Sequence, residues 1–186
     1  MPDVAGLVLA AGAGRRYGMP KALVRYQGKL FVERAVRVLI DGGCEPVIAV
    51  LGAGAAEVRE RLPDLNAVDN PDWATGMGSS LRVGLKALPE ADAVVVLPVD
   101  TPGVTAEAVR RLVRRATPKA LLRAGYDGEP GHPVLLGREH WAGAYELATG
   151  DAGAREYLRR NRPEIVPCGD VSDGRDVDTP GDLPPS

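Results

Sequence analysis

Cysteine is scarce in this chain of 186 residues. The two cysteines, Cys44 and Cys168, lie far apart and lack the paired spacing of a zinc or redox site. No signal peptide precedes them, so we expect a reducing cytoplasmic compartment in which both remain free thiols.

Long apolar runs and a strong positive charge are missing as well. No apolar run reaches the ~18 residues that a membrane-spanning helix needs, so no membrane partner is expected. The formal net charge is −2, which argues against a general nucleic-acid-binding surface. One conspicuous basic cluster stands among apolar residues at helical spacing, which indicates a solvated helix face: Arg110, Arg111, Arg114 and Arg115.

The composition that remains is that of an ordinary globular chain, 45% hydrophobic and 26% charged. We expect one compact domain over residues 1–186, which can bury roughly 70% of the unfolded chain's surface without help from a disulfide or a metal. The proline-rich residues 180–186 are predicted to be a fraying tail.

Apolar runs alternate with helical patterns along the whole chain. Strands are predicted over residues 4–11, 47–51, 67–69, 93–99, 120–123, 133–136 and 165–167, and helices over residues 30–41, 55–62, 79–87, 106–116 and 152–160. Thr105 and Asp151 are predicted N-caps of the last two helices. This alternation predicts an α/β fold with a mostly parallel sheet covered by helices on both faces.

A glycine-rich loop follows the first predicted strand. Gly12, Gly14 and Gly18 allow backbone N–H groups to converge on an anion, and Arg15, Arg16 and Lys21 add positive charge. The loop is neither a P-loop, because no Ser or Thr follows the lysine, nor a dinucleotide fingerprint, whose third glycine is replaced here by tyrosine. The pattern predicts a polyphosphate site with Arg15 and Lys21 on the triphosphate; a surface lysine is the alternative for Lys21.

Asp100 ends the most apolar predicted strand of the chain. A carboxylate in that position either caps the next turn or binds a metal, and its expected place beside the phosphate loop favours the metal. Mg²⁺ prefers one or two carboxylates together with substrate phosphates, so a second acid is expected. Asp176 and Asp178 are the candidates, and a solvated loop acid is the alternative for both.

Further polar residues are expected at the same edge of the sheet. Asn70 can present an amide to a base edge. A second glycine loop (Gly76, Ser79 and Ser80) opens a helix and suits recognition of a base or ribose, although Ser79 could equally be a plain N-cap. His132 is a candidate acceptor contact or a structural histidine, and Asp151 and Arg155 at a helix start could cap it or contact an anion.

No serine–histidine–acid set or reactive cysteine site is recognisable. The expected chemistry does not require one, because a phosphate monoester has its second pKa near ~6 and is already largely a dianion at neutral pH.

The order of these residues resembles the signature of the MobA-like NTP transferase family, and within it the molybdenum cofactor cytidylyltransferases. The blocks that carry the resemblance run over almost the whole chain: Leu9-Ala10-Ala11-Gly12, Gly14-Arg15-Arg16, Gly18, Lys21, Asn70, residues 76–81, 97–102, 131–134, 150–155 and 176–180. The last three blocks are more similar to cytidylyltransferases than to guanylyltransferases.

The resemblance implies a GT-A-like, Rossmann-type fold and a reaction in which the phosphate of molybdopterin attacks CTP and releases pyrophosphate. It implies Mg²⁺ on Asp100 and Asp178, and an acceptor site at His132, Asp151 and Arg155. It also implies a molybdoenzyme or its chaperone as a further partner. The implied nucleotide-binding residues are Leu9, Ala10, Ala11, Gly12, Gly14, Arg15, Lys21, Asn70, Gly76, Ser79, Ser80 and Asp100, with Arg15 and Lys21 catalytic.

Three alternatives to this function stay open. The same chemistry could serve a sugar phosphate or another phosphorylated metabolite. A glycosyltransferase could use Asp176-Val177-Asp178 as its metal motif, but the cationic triphosphate loop would then be superfluous. A non-catalytic pterin carrier would not need Lys21, Asp100 and Asp178 together.

Overall fold

The computed structural model describes residues 1–185 of the chain. The strands are β1 (Val4–Ala10), β2 (Arg25–Tyr26), β3 (Lys29–Leu30), β4 (Val47–Leu51), β5 (Ala67–Asp69), β6 (Ala93–Pro98), β7 (Leu121–Tyr126), β8 (Glu129–Gly137) and β9 (Glu164–Pro167). The α-helices are α1 (Phe31–Asp41), α2 (Ala55–Arg61), α3 (Met77–Ala87), α4 (Ala106–Val113), α5 (Trp141–Leu147) and α6 (Arg155–Asn161).

Seven strands form one sheet in the order β5-β4-β1-β6-β8-β7-β9. Within it β5, β4, β1 and β6 are parallel, β8 is antiparallel to both of its neighbours, and β9 is parallel to β7. The predicted mostly parallel α/β sheet is therefore confirmed. The small β2–β3 hairpin stands apart from this sheet.

Helices cover both faces of the sheet because the strand side chains alternate between two apolar clusters. In β1, Val4 and Val8 belong to a cluster that includes apolar residues of α1, α2 and α4. The intervening Ala5 and Leu7 belong to a second cluster with apolar residues of α3, α5 and α6. A strand buried on both faces reads as a continuous apolar run, which is why β1 could be recognised in the sequence.

The structure differs from the sequence prediction most in the β7–β8 hairpin. Both strands extend beyond the predicted residues 120–123 and 133–136 to a tight turn at Asp127 and Gly128, whose φ angles are 52° and 82°. Positive φ at both central residues is the geometry of a type I′ hairpin turn, for which Asp-Gly is a preferred sequence. The β2–β3 hairpin and α5 were not predicted, and α4 ends earlier than expected.

The predicted N-caps have different outcomes. The Thr105 side chain accepts a hydrogen bond from the Ala108 N–H (3.4 Å), so this cap is confirmed. Asp151 is not a cap, because it lies in a 3₁₀ turn (Gly150–Ala152) and α6 begins after Ala154. The N-cap alternative for Ser79 is also wrong, because α3 already begins at Met77.

The proline-rich end of the chain packs against the rest of the protein. The side chain of Leu183 contacts the apolar cluster that contains α1, and the Tyr26 hydroxyl donates to the Pro185 carbonyl (3.3 Å). Residues 183 and 185 thus have contacts where a fraying tail was predicted; that tail stays a prediction, and Ser186 lies outside the described residues. Among residues 1–185, no helix combines the length and the apolar character needed to cross a membrane.

Candidate active site

A cleft opens at the carboxyl ends of β1 and β6, which are neighbours in the sheet. The chain passes from β1 to β4 on one side and returns to β6 on the other, and ligands of open α/β sheets bind at such a switch point. Three adjoining cavities of about 450, 310 and 280 Å³ occupy the cleft, and Leu9 and Met77 line all three. We call them the nucleotide, phosphate and acceptor cavities in that order, after the ligands that the sequence analysis leads us to expect there.

The glycine-rich loop borders the first two cavities. Gly14 has φ = 63°, and a Cβ atom there would collide with the carbonyl oxygen of Met19. The Gly18 N–H closes the loop by donating to the Gly14 carbonyl (2.8 Å). Arg15 and Arg16 are exposed along the loop and line the phosphate cavity, so this segment can present cations to a polyphosphate.

Lys21 lies between two carboxylates that come from distant parts of the chain. Its Nζ donates to Asp100 Oδ2 (3.3 Å) and to Asp178 Oδ1 (3.0 Å). Only 16% of the lysine side chain is exposed, so the surface-lysine alternative is wrong. Burial raises the pKa of the Asp100 carboxyl, and the charge and hydrogen bond of Lys21 oppose that rise.

The segment that contains Asp178 is fixed beside Asp100 by its backbone. The Val177 N–H donates to the Asp100 carbonyl (2.8 Å), and the Val177 side chain is buried. Asp178 lines the phosphate cavity, whereas Asp176 lines the acceptor cavity. Burial, and then the nearby Asp100 charge, raise the pKa of Asp176. Lys21 thus contacts Asp178 and Asp100, while Asp176 faces a different part of the cleft.

Asn70 links the end of β5 to the start of α3 and is 1% exposed. Its Nδ2 donates to the hydroxyls of Ser79 (2.8 Å) and Ser80 (3.0 Å), and its Oδ1 accepts from the Asp72 N–H (2.9 Å). The amide is therefore occupied within the protein and does not present its donors to a base, contrary to the expectation from sequence.

The nucleotide cavity is lined on the side opposite the glycine loop by residues before and within α3. Trp73, Ala74, Gly76, Met77 and Ser80 line it there. Trp73, Ala74 and Met77 were not predicted as site residues. Trp73 and Ala74 lie between Asn70 and the Gly76–Ser80 segment, and Met77 lies within that segment. These positions are the signal that could have identified them.

The acceptor cavity combines aliphatic walls with several charged or polar side chains. His132 lies in it, and burial together with the Arg123 charge lowers the pKa of its ring to about 4. Arg123 donates from Nε to the Gly131 carbonyl (3.2 Å), and burial lowers its pKa. Asp151 and Arg155 line the same cavity. Arg123 was not predicted, and its only signal was a charged residue within an apolar strand.

Most of the predicted site residues line the cleft. Those that line at least one of the three cavities are Leu9, Ala11, Gly12, Gly14, Arg15, Lys21, Gly76, Ser80, Asp100, His132, Asp151, Arg155 and Asp178. Ala10 is buried within β1, and Asn70 and Ser79 line a separate recess behind the Gly76 loop.

The donor set of the phosphate cavity suits a hard divalent ion that prefers oxygen ligands. Within residues 1–185, no group of three or more His, Cys, Asp or Glu side chains is arranged to hold a metal. Two carboxylates, Asp100 and Asp178, share Lys21 as a partner. Mg²⁺ takes one or two carboxylates and completes its shell with water and substrate phosphates, so this set fits it.

Comparison with known proteins agrees with this geometry. Residues 6–165 match the sequence model of the MobA-like NTP transferase domain. The chain belongs to this family. It is therefore a member of a nucleotidyltransferase family, and the resemblance to the MobA-like family noted from its motifs is confirmed.

The curated proteins that are similar to this chain in sequence carry different names. The chain is 38% identical over 192 residues to a protein named nicotine blue oxidoreductase from Paenarthrobacter nicotinovorans, with 96% of this chain and 94% of the relative covered. It is 32% identical over 114 residues to a probable molybdenum cofactor guanylyltransferase from Bacillus cytotoxicus, covering 60% of this chain and 56% of the relative. The chain thus spans only about half the length of that guanylyltransferase.

Among solved structures, Rv0371c from Mycobacterium tuberculosis superposes with a TM-score of 0.81 and 28% identity, covering 96% of this chain and 94% of that one. A structure of the same mycobacterial protein in complex with manganese gives a TM-score of 0.73 at 27% identity, with 89% and 86% covered. These structures share the overall architecture of this chain.

Proposed function

We propose that this protein is a divalent-metal-dependent nucleotidyltransferase that transfers CMP from CTP to the phosphate of molybdopterin or a closely related acceptor. The observation that carries the proposal is the position of Lys21, Asp100 and Asp178 in the phosphate cavity, which shares lining residues with both the nucleotide cavity and the acceptor cavity. Nucleotidyl transfer needs the two substrates aligned and the phosphate charge neutralised between them, and this arrangement supplies both.

In this mechanism, Asp100 and Asp178 would hold Mg²⁺, which when bound neutralises charge on the substrate phosphates. The manganese complex of the mycobacterial relative supports a divalent ion in this fold. The acceptor phosphate, already a dianion, attacks the α-phosphorus of CTP, and the bond from that phosphorus to the β-phosphate bridging oxygen breaks. Arg15 and Lys21 stabilise the negative charge that develops on the departing pyrophosphate. No general base is required.

The acceptor cavity supports an acceptor with an apolar body and an anionic group. Leu81, Val134 and Leu158 supply aliphatic wall, while Arg123 and Arg155 supply positive charge. The uncharged His132 ring can donate or accept a hydrogen bond without adding charge. A pterin is a planar heterocycle whose faces can lie against aliphatic side chains while its polar edge meets charged ones. A sugar phosphate carries hydroxyl groups all around its ring, and each one left unpaired costs free energy.

A pyrophosphate-release screen of ATP, CTP, GTP and UTP against molybdopterin and a panel of sugar phosphates tests the proposal. We expect the highest kcat/KM with CTP and molybdopterin, and none in excess chelator. Asp100→Asn should keep the fold and lose most turnover, whereas the exposed Asp64→Asn should match the wild type. Equal or better kcat/KM with GTP would move the protein to guanylyl transfer, and turnover only with sugar phosphates would reassign the acceptor.

A second candidate, reduction of a dye-like heterocycle, is favoured by the near-full-length match to a protein named nicotine blue oxidoreductase. The glycine loop argues against it, because the dinucleotide fingerprint is not met. Anaerobic assay of nicotine blue with NADH or NADPH separates the two candidates. Bleaching of the dye without pyrophosphate release from any NTP would favour the redox function, and absence of both would favour a non-catalytic carrier.

A further inference from the structure

The Lys21 ammonium occupies the space between the two carboxylates that would hold the metal. Its Nζ is 3.3 Å from Asp100 Oδ2 and 3.0 Å from Asp178 Oδ1, and only 16% of the side chain is exposed to solvent. Arg16 adds a second, weaker positive charge at 3.8 Å from Asp178 Oδ2, with 79% of its side chain exposed. The two acids are thus already neutralised by groups of the protein itself.

This arrangement and a bound divalent ion compete for the same two carboxylates. Mg²⁺ binds oxygen at about 2.0–2.1 Å in a near-octahedral shell, whereas the lysine ammonium now holds one oxygen of each carboxylate at 3.3 and 3.0 Å. Two cations side by side in a partly buried cavity would also repel each other. Metal binding by Asp100 and Asp178 is therefore disfavoured while the Lys21 ammonium stays between them.

The phosphate cavity offers Lys21 a second partner when nucleotide is present. Gly14, Arg15 and Lys21 line this cavity together. Lysine is a compact charge on a flexible four-carbon stem, so it can turn from a carboxylate to a phosphate without moving the backbone. The triphosphate gains the lysine as the carboxylates gain the metal, so neither set of oxygens is left without a cation.

We propose that Lys21 is the resident counter-ion of Asp100 and Asp178 in the nucleotide-free protein, and that its transfer to the triphosphate couples NTP binding to metal binding. This inference rests on the proposed metal site and adds an order of events to it. Free metal binds poorly because it has to displace Lys21 alone, whereas metal and NTP together displace it readily. The coupling is reciprocal, and 5–150-fold is a typical range for such coupling between two ligands.

Mn²⁺ titrations followed by electron paramagnetic resonance measure this coupling without catalysis. The proteins are wild type, Lys21→Met and, as a matched control, the exposed Lys119→Met. Each is titrated alone and with a non-hydrolysable CTP analogue, and Mn²⁺ bound by the analogue itself is subtracted. We expect wild type and Lys119→Met to bind Mn²⁺ about tenfold or more tightly with the analogue than without it. Lys21→Met should bind Mn²⁺ about tenfold more tightly than wild type without the analogue, and the analogue should add little.

Equal or weaker Mn²⁺ binding by Lys21→Met without the analogue would overturn the inference. Lys21→Arg, which keeps a positive charge in place, should retain the weak binding of wild type, and tight binding by this variant would also overturn it. If Lys21→Met does not fold, the Arg variant alone carries the test. Asp178→Asn separates the inference from its basis: if Mn²⁺ binding does not depend on Asp178, the proposed metal site itself is wrong.

Discussion

His132 lies in the acceptor cavity, where burial and the Arg123 charge lower the pKa of its ring from 6.5 to about 4. Between these two pH values the unfolded chain binds a proton that the folded protein does not. Stability therefore falls as pH decreases from about 6.5 and levels off below about 4. Allowing for the part of the ring that solvent reaches, the loss is about 2 kcal/mol.

Urea unfolding of the wild type and His132→Gln at pH 7, 6, 5 and 4 measures this contribution. The difference in free energy of unfolding between the two proteins should change by about 2 kcal/mol across the series, in favour of the variant at low pH. A constant difference at all four pH values would contradict the lowered pKa.

The surroundings of Lys21 in the structure change the expected effect of its removal on stability. As an exposed lysine it would contribute little to stability, but in the structure it neutralises Asp100 and Asp178. Lys21→Ala should lower the free energy of unfolding by about 1–3 kcal/mol, because it leaves two partly buried acids unpaired. It should also cost roughly 2–4 kcal/mol in the transition state, which is typical of deleting one oxyanion donor.

Urea unfolding and turnover of Lys21→Ala, compared with Lys119→Ala, check both values. Unchanged unfolding together with unchanged turnover would remove Lys21 from the site and from the structural network around it.

The link between β5 and α3 depends on Asn70, whose side chain makes three hydrogen bonds to residues 72, 79 and 80. Asn70→Ala leaves the buried Ser80 hydroxyl without that donor and frees the turn before Trp73. We expect a loss of about 2–3 kcal/mol in unfolding free energy. Because Trp73 and Gly76 line the nucleotide cavity, nucleotide binding should weaken as well.

The exposed Asn66→Ala is the matched control for Asn70→Ala and should stay within about 0.5 kcal/mol of wild type. Thermal unfolding with and without CTP provides the measurement. If Asn70→Ala unfolds like wild type but binds CTP more weakly, Asn70 contacts the nucleotide directly, as the sequence first indicated.

Among the secondary-structure elements, those with strong local patterns were predicted well. The bounds of β4 and β5 were predicted without error, and the apolar runs of β1 and β6 differ from prediction by one residue at their ends. The β7–β8 hairpin was predicted too short because its strands continue through Gly125, Pro130 and Gly131, which carry weak strand preference. Cross-strand pairing in the folded protein overrides that preference.

The last described residues return to the cleft and complete it. Asp182 Oδ2 accepts from the Asp178 N–H (3.1 Å) and from the N–H (3.0 Å) and hydroxyl (3.1 Å) of Thr179. Leu183 packs against the apolar cluster beneath. The position of Asp178 beside Lys21 thus depends on residues that contribute no ligand.

Truncation before Pro180 should weaken Mn²⁺ binding in the presence of nucleotide by about tenfold or more, although both proposed ligands remain in the chain. Asp182→Ala in the full chain should show a smaller loss in the same direction, because Leu183 still packs. Isothermal titration with Mn²⁺ and a CTP analogue checks the order of the three proteins. Wild-type affinity in the truncated protein would show that the C-terminal residues do not support the site.

Short-range features are present in the sequence itself. The glycine loop, the alternation of strands with helices, and the placement of Asp100 after an apolar strand depend on neighbouring residues and on the steric freedom of glycine. They were enough to predict the fold class and to bring most of the proposed site residues to the cleft, while the family followed from the resemblance of the motifs.

Contacts between side chains that lie far apart in the chain could not be predicted from the sequence. Lys21 is 79 positions from Asp100 and 157 from Asp178, and no local pattern indicates that one ammonium neutralises both acids. Asn70 could as well have faced a base as the two serines it contacts, since an amide suits either partner. Burial and charge pairing are properties of segments brought together by the folded sheet, and they decide which polar side chains face the ligand and which hold the protein together.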